Sequence, residues 1–265
     1  MNKRTKRVAG VLAPTVLIVV VWYAVALTVE AVRGVDFPTP WDAALRLGAL
    51  LVGDQLSGHG LYRHIGDSLL RWGIGFGVAA LAGLAAGLAA GWWGAVRRVA
   101  TPIFHVLQLI PGLAWIPVAL LLFGVGERAT ISMIAITAFT PVAISVSDGV
   151  RRVDTTYVRA AQMLGSNRRS LFLHVLVPGA LPSILTGLRV GLGNGWRVLV
   201  AAEMIVGTGT GLGFSIIEAR WTLDYASAFA CIAVICLVGL VMENIVFSRI
   251  EERTVRRWAL AKDSP

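Results

Sequence analysis

Three charged residues stand inside a long apolar stretch in the last third of the chain. Arg189, Arg197 and Glu203 all lie within residues 184–206, which are otherwise mainly apolar residues and glycine. A charge in such a membrane-like setting is costly and faces a cavity or a partner. A planar guanidinium can donate paired hydrogen bonds to the oxygens of an anion. Arg197, near the middle of the stretch, is therefore predicted to contact an anion.

Helical geometry places these charges on one side of the stretch. At about 100° per residue, Arg189 and Arg197 are about 80° apart, whereas Gly187, Gly191 and Gly195 lie on the opposite side. These glycines, and the similar stripe Gly83, Gly87 and Gly91 earlier in the chain, predict faces for close helix packing, either static or sliding. For Arg189 the alternative is that it reaches the membrane interface or caps a structural network. The candidate residues for a polar path are Arg197, Arg189, Glu203, His105 and Gln108.

Two further patterns place polar groups near a membrane surface. His64, Ser68 and Arg71 are spaced so that they share one helix face. They predict either a gate or docking network, or local interfacial structure. The glycine-rich run 207–213 lacks the lysine of a phosphate-binding loop and follows an apolar stretch rather than a strand. It predicts a flexible turn or a short re-entrant segment near the outer gate, and no nucleotide site.

The composition indicates that a membrane protein carries these residues. Of the 265 residues, 56% are hydrophobic and 15% are charged, whereas a soluble domain carries about 25% charge. This excludes a disordered, collagen-like or coiled-coil protein and disfavours a soluble enzyme. The net charge of +9 is explained by basic loops on one side of a membrane, so we expect no nucleic-acid binding. We interpret Cys231 and Cys236 as small apolar residues rather than a disulfide or metal pair.

Six stretches are apolar and long enough for a helix to cross the membrane, which takes about 20 residues. They are 8–29, 68–91, 99–123, 129–147, 184–206 and 226–246. We expect the first to be a retained span rather than a cleaved signal peptide, and Pro111, Gly112 and Pro117 to kink the third. With both termini in the cytoplasm, most of the 24 lysines and arginines lie on the inner side. The chain is thus predicted to be one all-α transmembrane domain over residues 1–265.

The longest basic loop, about residues 150–182, has its own pattern. Arg159, Ala160 and Ala161 belong to a short predicted helix that ends at Gly165, because glycine readily takes the left-handed conformation of a C-cap. A polar turn follows, and then a second amphipathic helix that is expected to stop before Pro178. Such a compact helix–turn–helix is a surface that another protein could grip.

This loop resembles that of ABC importer permeases. Their pattern is Glu-Ala-Ala, three residues, Gly, nine residues, then Ile-x-Leu-Pro. Here the same spacing gives Arg159-Ala160-Ala161, Gly165 and Val175-Leu176-Val177-Pro178, with arginine in place of the glutamate. The resemblance covers about residues 60–257. Within that family, the chain is similar to the branch that imports taurine, aliphatic sulfonates and nitrate. Its supporting segments are residues 64–71, 111–117, 122–127, 178–189 and 200–204.

The resemblance implies a fold and a set of partners. The fold is that of a type I (MetI-like) importer permease with about six spans in the bacterial inner membrane. Two permease copies, expected to form a homodimer, make the translocation path in the lipid bilayer. A cytoplasmic ATPase dimer binds ATP, so this chain is expected to hold no cofactor, and a periplasmic protein delivers a small anion such as a sulfonate, taurine or nitrate. The implied ATPase-coupling residues are Arg159, Ala160, Ala161, Gly165, Val175, Val177 and Pro178.

Two other function classes stay as alternatives. An ion-coupled secondary transporter needs carboxylates within the membrane to carry the ion, and Glu203 and Glu243 are thin support for that. An integral membrane enzyme needs a cluster of metal ligands, or a nucleophile with its base. The four histidines are scattered along the chain and supply neither.

Overall fold

The computed structural model describes residues 3–34, 36–207 and 209–243, without the side chains of residues 3–13 and 15. These residues are almost entirely helical, which confirms the all-α prediction. The helices are α1 (Lys3–Arg33), α2 (Pro40–Val52), α3 (Leu61–Trp92), α4 (Gly94–Leu109), α5 (Ile116–Phe123), α6 (Glu127–Arg151), α7 (Thr155–Met163), α8 (Arg168–Leu171), α9 (Val177–Val206), α10 (Leu212–Trp221) and α11 (Tyr225–Val241). A 3-10 turn, Gly112–Trp115, precedes α5, and a π-helical segment, Phe172–Leu176, joins α8 to α9.

A minimal hairpin precedes α3. Strands β1 (Gln55–Leu56) and β2 (His59–Gly60) pair antiparallel, with Leu56 opposite His59. Its two-residue turn, Ser57 and Gly58, has positive φ at both positions, as this tightest of hairpins requires. Leu56 is buried, so the hairpin fixes the chain where it enters α3.

Helix α2 begins at a complete capping box. Thr39 Oγ1 accepts from the backbone N–H of Asp42, and the Asp42 carboxylate accepts from the Thr39 N–H at 2.9 Å. The Thr39 hydroxyl and backbone N–H stabilise the charged form and lower the pKa of Asp42. The helix ends at Gly53, which has a φ of 119°, so both boundaries are local in origin.

The centre of the bundle is α6, which packs against both α3 and α9. A Cβ added at Gly87 of α3 would lie 2.6 Å from the Ala143 carbonyl oxygen, and one added at Gly187 of α9 would lie 2.6 Å from Ser145 Cβ. The other glycines of the two stripes, Gly83, Gly91, Gly191 and Gly195, meet α6 in the same way. The predicted packing faces are therefore confirmed: both stripes bring a helix backbone against α6.

Four helices of the described residues are long and apolar enough to span a membrane. They are Val16–Arg33, Leu61–Trp92, Glu127–Arg151 and Arg168–Val206. A fifth follows if Gly94–Leu109 and Gly112–Phe123 form one broken span, and Tyr225–Val241 is a shorter apolar helix. The predicted stretch 226–246 runs past it, and residues 244–246 lie outside the described residues. These segments overlap the six predicted stretches, but within the described residues only four of them, or five with the broken pair, are long and apolar enough to be spans.

The third predicted span is not one helix. Its two halves are bent by 100°, which is far more than the expected kink. Ile110 has φ −79° and ψ 117°, because the ring of Pro111 disfavours the helical region for the residue before it. The chain then turns through Gly112 before α5 begins, so the span predicted over 99–123 is broken rather than only kinked.

The second helix of the basic loop does not stop before Pro178, contrary to the prediction. Residues Arg168–Val206 run as one helical segment. The Val177 N–H bonds to the Phe172 carbonyl, which is the wider i→i+5 turn of a π segment. Pro178 then follows as the second residue of α9, where the wider turn already interrupts the regular hydrogen-bond ladder that a proline would break.

Candidate functional site

Local hydrogen bonds define the basic loop. Asp154 caps α7 by accepting from the Thr156 N–H at 2.8 Å, and Asn167 caps α8 by accepting from the Ser170 N–H at 2.8 Å. Between the two helices, Gly165 has a φ of +80°, as predicted for a left-handed C-cap. The turn is therefore specified by short-range chemistry.

The two sides of this loop differ. Arg159 and Ala160 are exposed, and the apolar side chains of Tyr157, Met163 and Leu164 are 61%, 89% and 87% exposed. Ala161, Val175, Val177 and Pro178 are half-buried, and Leu176 is buried in a cluster with Val146, Val150 and Ala180. Exposed apolar residues beside an anchored core mark a surface for a protein partner.

A buried polar cluster joins α3, α9 and the segment before α10. It comprises the buried side chains of His64, Ser68, Arg71 and Glu203, backbone groups of residues 210–213, and at its edge Glu127, whose side chain is 62% exposed. His64, Ser68 and Glu203 are at most 1% exposed, and Arg71 is 3% exposed. At about 1.5 Å per residue, Arg71 lies roughly 30 Å along α3 from Trp92, which contacts the basic loop. The cluster is thus at the opposite end of the bundle.

The centre of the polar cluster is an ion pair between α3 and α9. Arg71 Nη1 lies 2.8 Å from Glu203 Oε1, and the Ser68 hydroxyl lies 2.9 Å from both carboxylate oxygens. The Gly213 N–H donates to Glu203 Oε2 at 3.0 Å. Arg71 also pairs with Glu127, the first residue of α6, at 3.2 Å. Every partner that a buried carboxylate needs is present, so Glu203 is held rather than free.

The same cluster forms hydrogen bonds with residues 210–212 of the glycine-rich run. Arg71 donates to the carbonyl oxygen and the hydroxyl of Thr210 at 2.9 and 3.0 Å. The Gly211 N–H donates to His64 Nδ1 at 3.1 Å, and the Leu212 N–H to Ser68 Oγ at 2.9 Å. His64 Nε2 lies 2.8 Å from the Leu56 carbonyl oxygen, so this nitrogen carries the proton and Nδ1 accepts. Residues 210–213 of the predicted turn are therefore held against the start of α3 and the end of α9 by hydrogen bonds, rather than forming a flexible turn.

Arg197 lies in a different environment. It is exposed, and its Nη1 donates to Asn194 Oδ1 at 3.1 Å. It lines a cavity of about 280 Å³ between the break in the third span, α6 and α9. The lining residues are Leu107, Gln108, Ile110, Pro111, Gly112, Trp115, Thr137, Thr140, Asn194, Arg197 and Val198. Non-helical backbone at membrane depth is tolerated where it lines such a cavity, which accounts for the 100° break.

The structure separates the five candidates for a polar path. Gln108 and Arg197 line the cavity together. His105 is exposed on α4 outside the lining, and Arg189 Nε lies 3.8 Å from Glu243 Oε1. Glu203 belongs to the polar cluster. Helical angles along α9 alone missed the partnership of Glu203 with Arg71, although one arginine and one glutamate in apolar stretches are a signal for pairing.

A family model and several known transport proteins match this chain. The family model described as "Binding-protein-dependent transport system inner membrane component" matches residues 75–256. The taurine transport system permease of Escherichia coli K12 is 37% identical over 227 residues, covering 86% of this chain and 82% of that protein. The nitrate import permease of Leptolyngbya laminosa is 37% identical over 71% of this chain and 67% of its own length. The putative aliphatic sulfonates transport permease of Bacillus subtilis is 32% identical over 97% and 90%.

Solved structures give the same fold. An inward-facing methionine ABC transporter matches with a TM-score of 0.62 and 17% identity, covering 72% of this chain and 94% of the other. An amino acid ABC transporter matches with a TM-score of 0.58 and 20% identity, covering 83% and 100%. At these identities the likeness concerns the fold, which is the predicted MetI-like permease fold. With the family match over residues 75–256, the chain belongs to the binding-protein-dependent transport system inner membrane components, and it is a permease subunit of an ABC importer rather than an enzyme.

Proposed function

We propose that this permease imports a small solute with an oxyanion group, such as a sulfonate, taurine or nitrate, and that the solute passes Arg197. The observation that carries the proposal is the charge of the cavity. Arg197 is exposed there, it donates a hydrogen bond to the neutral amide of Asn194, and none of the lining residues is acidic. A positive charge in a partly desolvated cavity attracts anions and excludes cations.

The remaining polar groups of the cavity suit an oxyanion. Gln108 and Asn194 supply amides, and Thr137 and Thr140 supply hydroxyls. Thr137 Oγ1 is buried and has no hydrogen-bond partner among the described residues. Since a water takes about 30 Å³, the cavity of about 280 Å³ has room for a small anion with part of its hydration. One guanidinium among neutral groups permits release, which a closed cage would not.

The relatives support the same chemical class. Three of them are named for taurine, nitrate and aliphatic sulfonates, and all three solutes carry a strongly acidic, planar or tetrahedral oxyanion. The polar cluster supplies no comparable site, because Arg71 is buried and already bound to carboxylates. Arg197 is therefore our choice for the cation that the solute meets.

The basic loop is the proposed ATPase-docking surface. Exposed apolar side chains and Gly165 at positive φ support it, with Arg159, Ala160, Ala161, Val175, Val177 and Pro178 as the other coupling residues. Membership of the family supplies an ABC ATPase and a substrate-binding protein as partners. ATP then binds to the ATPase, and this chain carries no cofactor.

Orientation and assembly complete the proposal. The loop and both termini lie in the cytoplasm, because basic residues favour the inner side of the bacterial inner membrane. Two copies of this chain pair as a homodimer around the path. The polar cluster, at the other end of the bundle, then faces the periplasm, where the binding protein delivers its solute.

Uptake by the reconstituted importer tests the proposal. Arg197→Lys should keep part of the uptake of taurine, a small alkyl sulfonate or nitrate, since it keeps the charge but loses the planar fork. Arg197→Gln should lose most of it while basal ATP hydrolysis continues. Arg189→Gln is the matched control, because it removes the same charge from the same helix outside the cavity. If Arg197→Gln transports as well as wild type, the proposal fails.

A further inference from the structure

A second cavity lies where the end of α3 meets the basic loop. It has a volume of about 460 Å³. It is lined by Ala85, Leu88, Ala89, Trp92, Trp93, Arg168, Arg169 and Phe172. One wall is thus a helix of small and apolar residues, and the other carries two adjacent cations.

The apolar wall belongs to a longer stripe on α3. Ala85, Leu88, Ala89 and Trp92 follow the spacing of one helix face. The stripe continues towards mid-membrane through Leu81 and Val78, which are 73% and 53% exposed. In a membrane, an exposed apolar stripe of this kind faces acyl chains.

Two tryptophans mark the level of the membrane surface. Trp92 packs against Phe172, with ring centroids 5.2 Å apart, and Trp93 is 57% exposed. Tryptophan favours the membrane–water interface because its ring is apolar and its N–H is polar. The cavity therefore lies at the depth of lipid headgroups.

The charge of the cavity is unbalanced. Arg168 and Arg169 begin α8 directly after its Asn167 cap, and both are exposed. Neither forms an ion pair with another residue that the structure describes, and the lining contains no carboxylate. Basic pockets beside membrane helices bind acidic headgroups, because the phosphate accepts charge-assisted hydrogen bonds from guanidinium groups.

We propose that this cavity binds an anionic phospholipid. Arg168 and Arg169 bind the phosphate, the two tryptophan rings lie at the headgroup level, and an acyl chain packs along the α3 stripe. A soluble phosphate fits less well, because most of the lining is apolar. The assignment to the cytoplasmic leaflet rests on the proposed function. The lipid then lies between α3 and the ATPase-docking loop and contacts both of them.

Retention of lipid by the intact importer tests the site. The complex of permease and ATPase is purified, and native mass spectrometry counts bound phosphatidylglycerol against phosphatidylcholine with the same acyl chains. Wild type should retain phosphatidylglycerol preferentially. Because each basic residue near a membrane surface contributes about fivefold, Arg168→Gln with Arg169→Gln should weaken that binding about 25-fold. Arg97→Gln with Arg98→Gln is the matched control. It removes two adjacent arginines from the same membrane side outside the cavity, so it should weaken phosphatidylglycerol retention clearly less than the Arg168 and Arg169 substitutions.

A second variant tests the acyl wall without changing charge. Ala85→Trp should fill part of the cavity and lower the count of both lipids. Equal retention of the two lipids by wild type, unchanged retention after the Arg168 and Arg169 substitutions, or displacement of the lipid by an equal concentration of inorganic phosphate would overturn the proposal. Loss of ATPase from the arginine variant with unchanged lipid would assign the two arginines to the ATPase instead. Solute uptake is not measured, so failure of the Arg197 proposal leaves these outcomes unaffected.

Discussion

Arg71 and Arg197 are both arginines on helices that cross the membrane, and the structure gives them opposite surroundings. Arg71 is 3% exposed and meets Glu203, Glu127 and Thr210. Arg197 is exposed and meets the neutral side chain of Asn194 beside a cavity. An arginine that is matched by carboxylates inside the protein holds helices together. One whose charge is left unmatched at a cavity is available to a solute.

The sharpest test of this contrast is to break the ion pair of the polar cluster. Glu203→Ala should cost about 3–5 kcal/mol of unfolding free energy, because it leaves Arg71 buried without its closest carboxylate. Thermal or denaturant unfolding of the detergent-solubilised permease measures this loss. Arg63→Ala is the control, at the same end of α3 as Arg71. Its ion pair with Asp67 lies at the surface, with an N–O distance of 3.9 Å, and is worth at most about 1 kcal/mol. Equal stability of the two variants would remove the structural role that we assign to Glu203.

The second test concerns the glycine-rich segment that the polar cluster holds in place. A Cβ at Gly211 would lie 2.5 Å from Glu203 Cδ, at a φ of +128°. Gly211→Ala should therefore displace the carboxylate as well as strain the backbone, at a cost of about 2–3 kcal/mol. Gly209→Ala is its control, because φ is +85° there but no atom lies within 4 Å of the added Cβ. It should cost about 1 kcal/mol in the same unfolding assay. If Gly209→Ala costs as much as Gly211→Ala, the contact with Glu203 does not matter.

The basic loop is exposed, as Arg197 is, but its backbone requires a left-handed conformation at Gly165. Gly165→Val should cost about 1–2 kcal/mol of local strain, since φ is +80° although no atom lies within 4 Å of the added Cβ. We expect the variant to insert into the membrane but to retain less ATPase on co-purification. Asn at the same position tolerates the left-handed conformation and should retain more. Normal assembly of the valine variant, with normal solute-stimulated ATP hydrolysis, would contradict the proposed role of the loop.

The smallest effect on stability is expected inside the Arg197 cavity. Thr137→Val keeps the shape of a side chain whose hydroxyl makes no hydrogen bond within the described residues, so unfolding free energy should change by less than about 1 kcal/mol. Uptake should still fall severalfold, because a group that the protein leaves unpaired can serve the solute. Thr186→Val is the control, since that hydroxyl bonds to the Pro182 carbonyl and lies outside the lining. If both variants transport alike, the Thr137 hydroxyl plays no part in transport.

Features that depend on neighbours along the chain were predictable from the residues. The positive φ of Gly165 and the break near Pro111 follow from steric preferences of glycine and proline. The size of the break was not predictable, because the 100° bend is set by what the two halves pack against. The π segment before Pro178 escaped prediction for a similar reason: the proline rule describes an isolated helix, and here a wider turn carries the helix past it.

The composition and the spacing of apolar residues determined that this chain is a helical membrane protein, and the basic loop with its Gly165 turn pointed to an ABC importer permease. The first conclusion rests on the hydrophobic thickness of a bilayer, which any single segment must satisfy. The second rests on the resemblance of the loop's residues and spacing to a known family. Which charge meets which was decided only by the tertiary structure. Helix positions showed that Glu203 and Arg197 are poor partners on α9, but Arg71 lies 132 positions away in sequence from Glu203. Only the packing of α3 and α9 on α6 brings those two together and leaves Arg197 beside an open cavity.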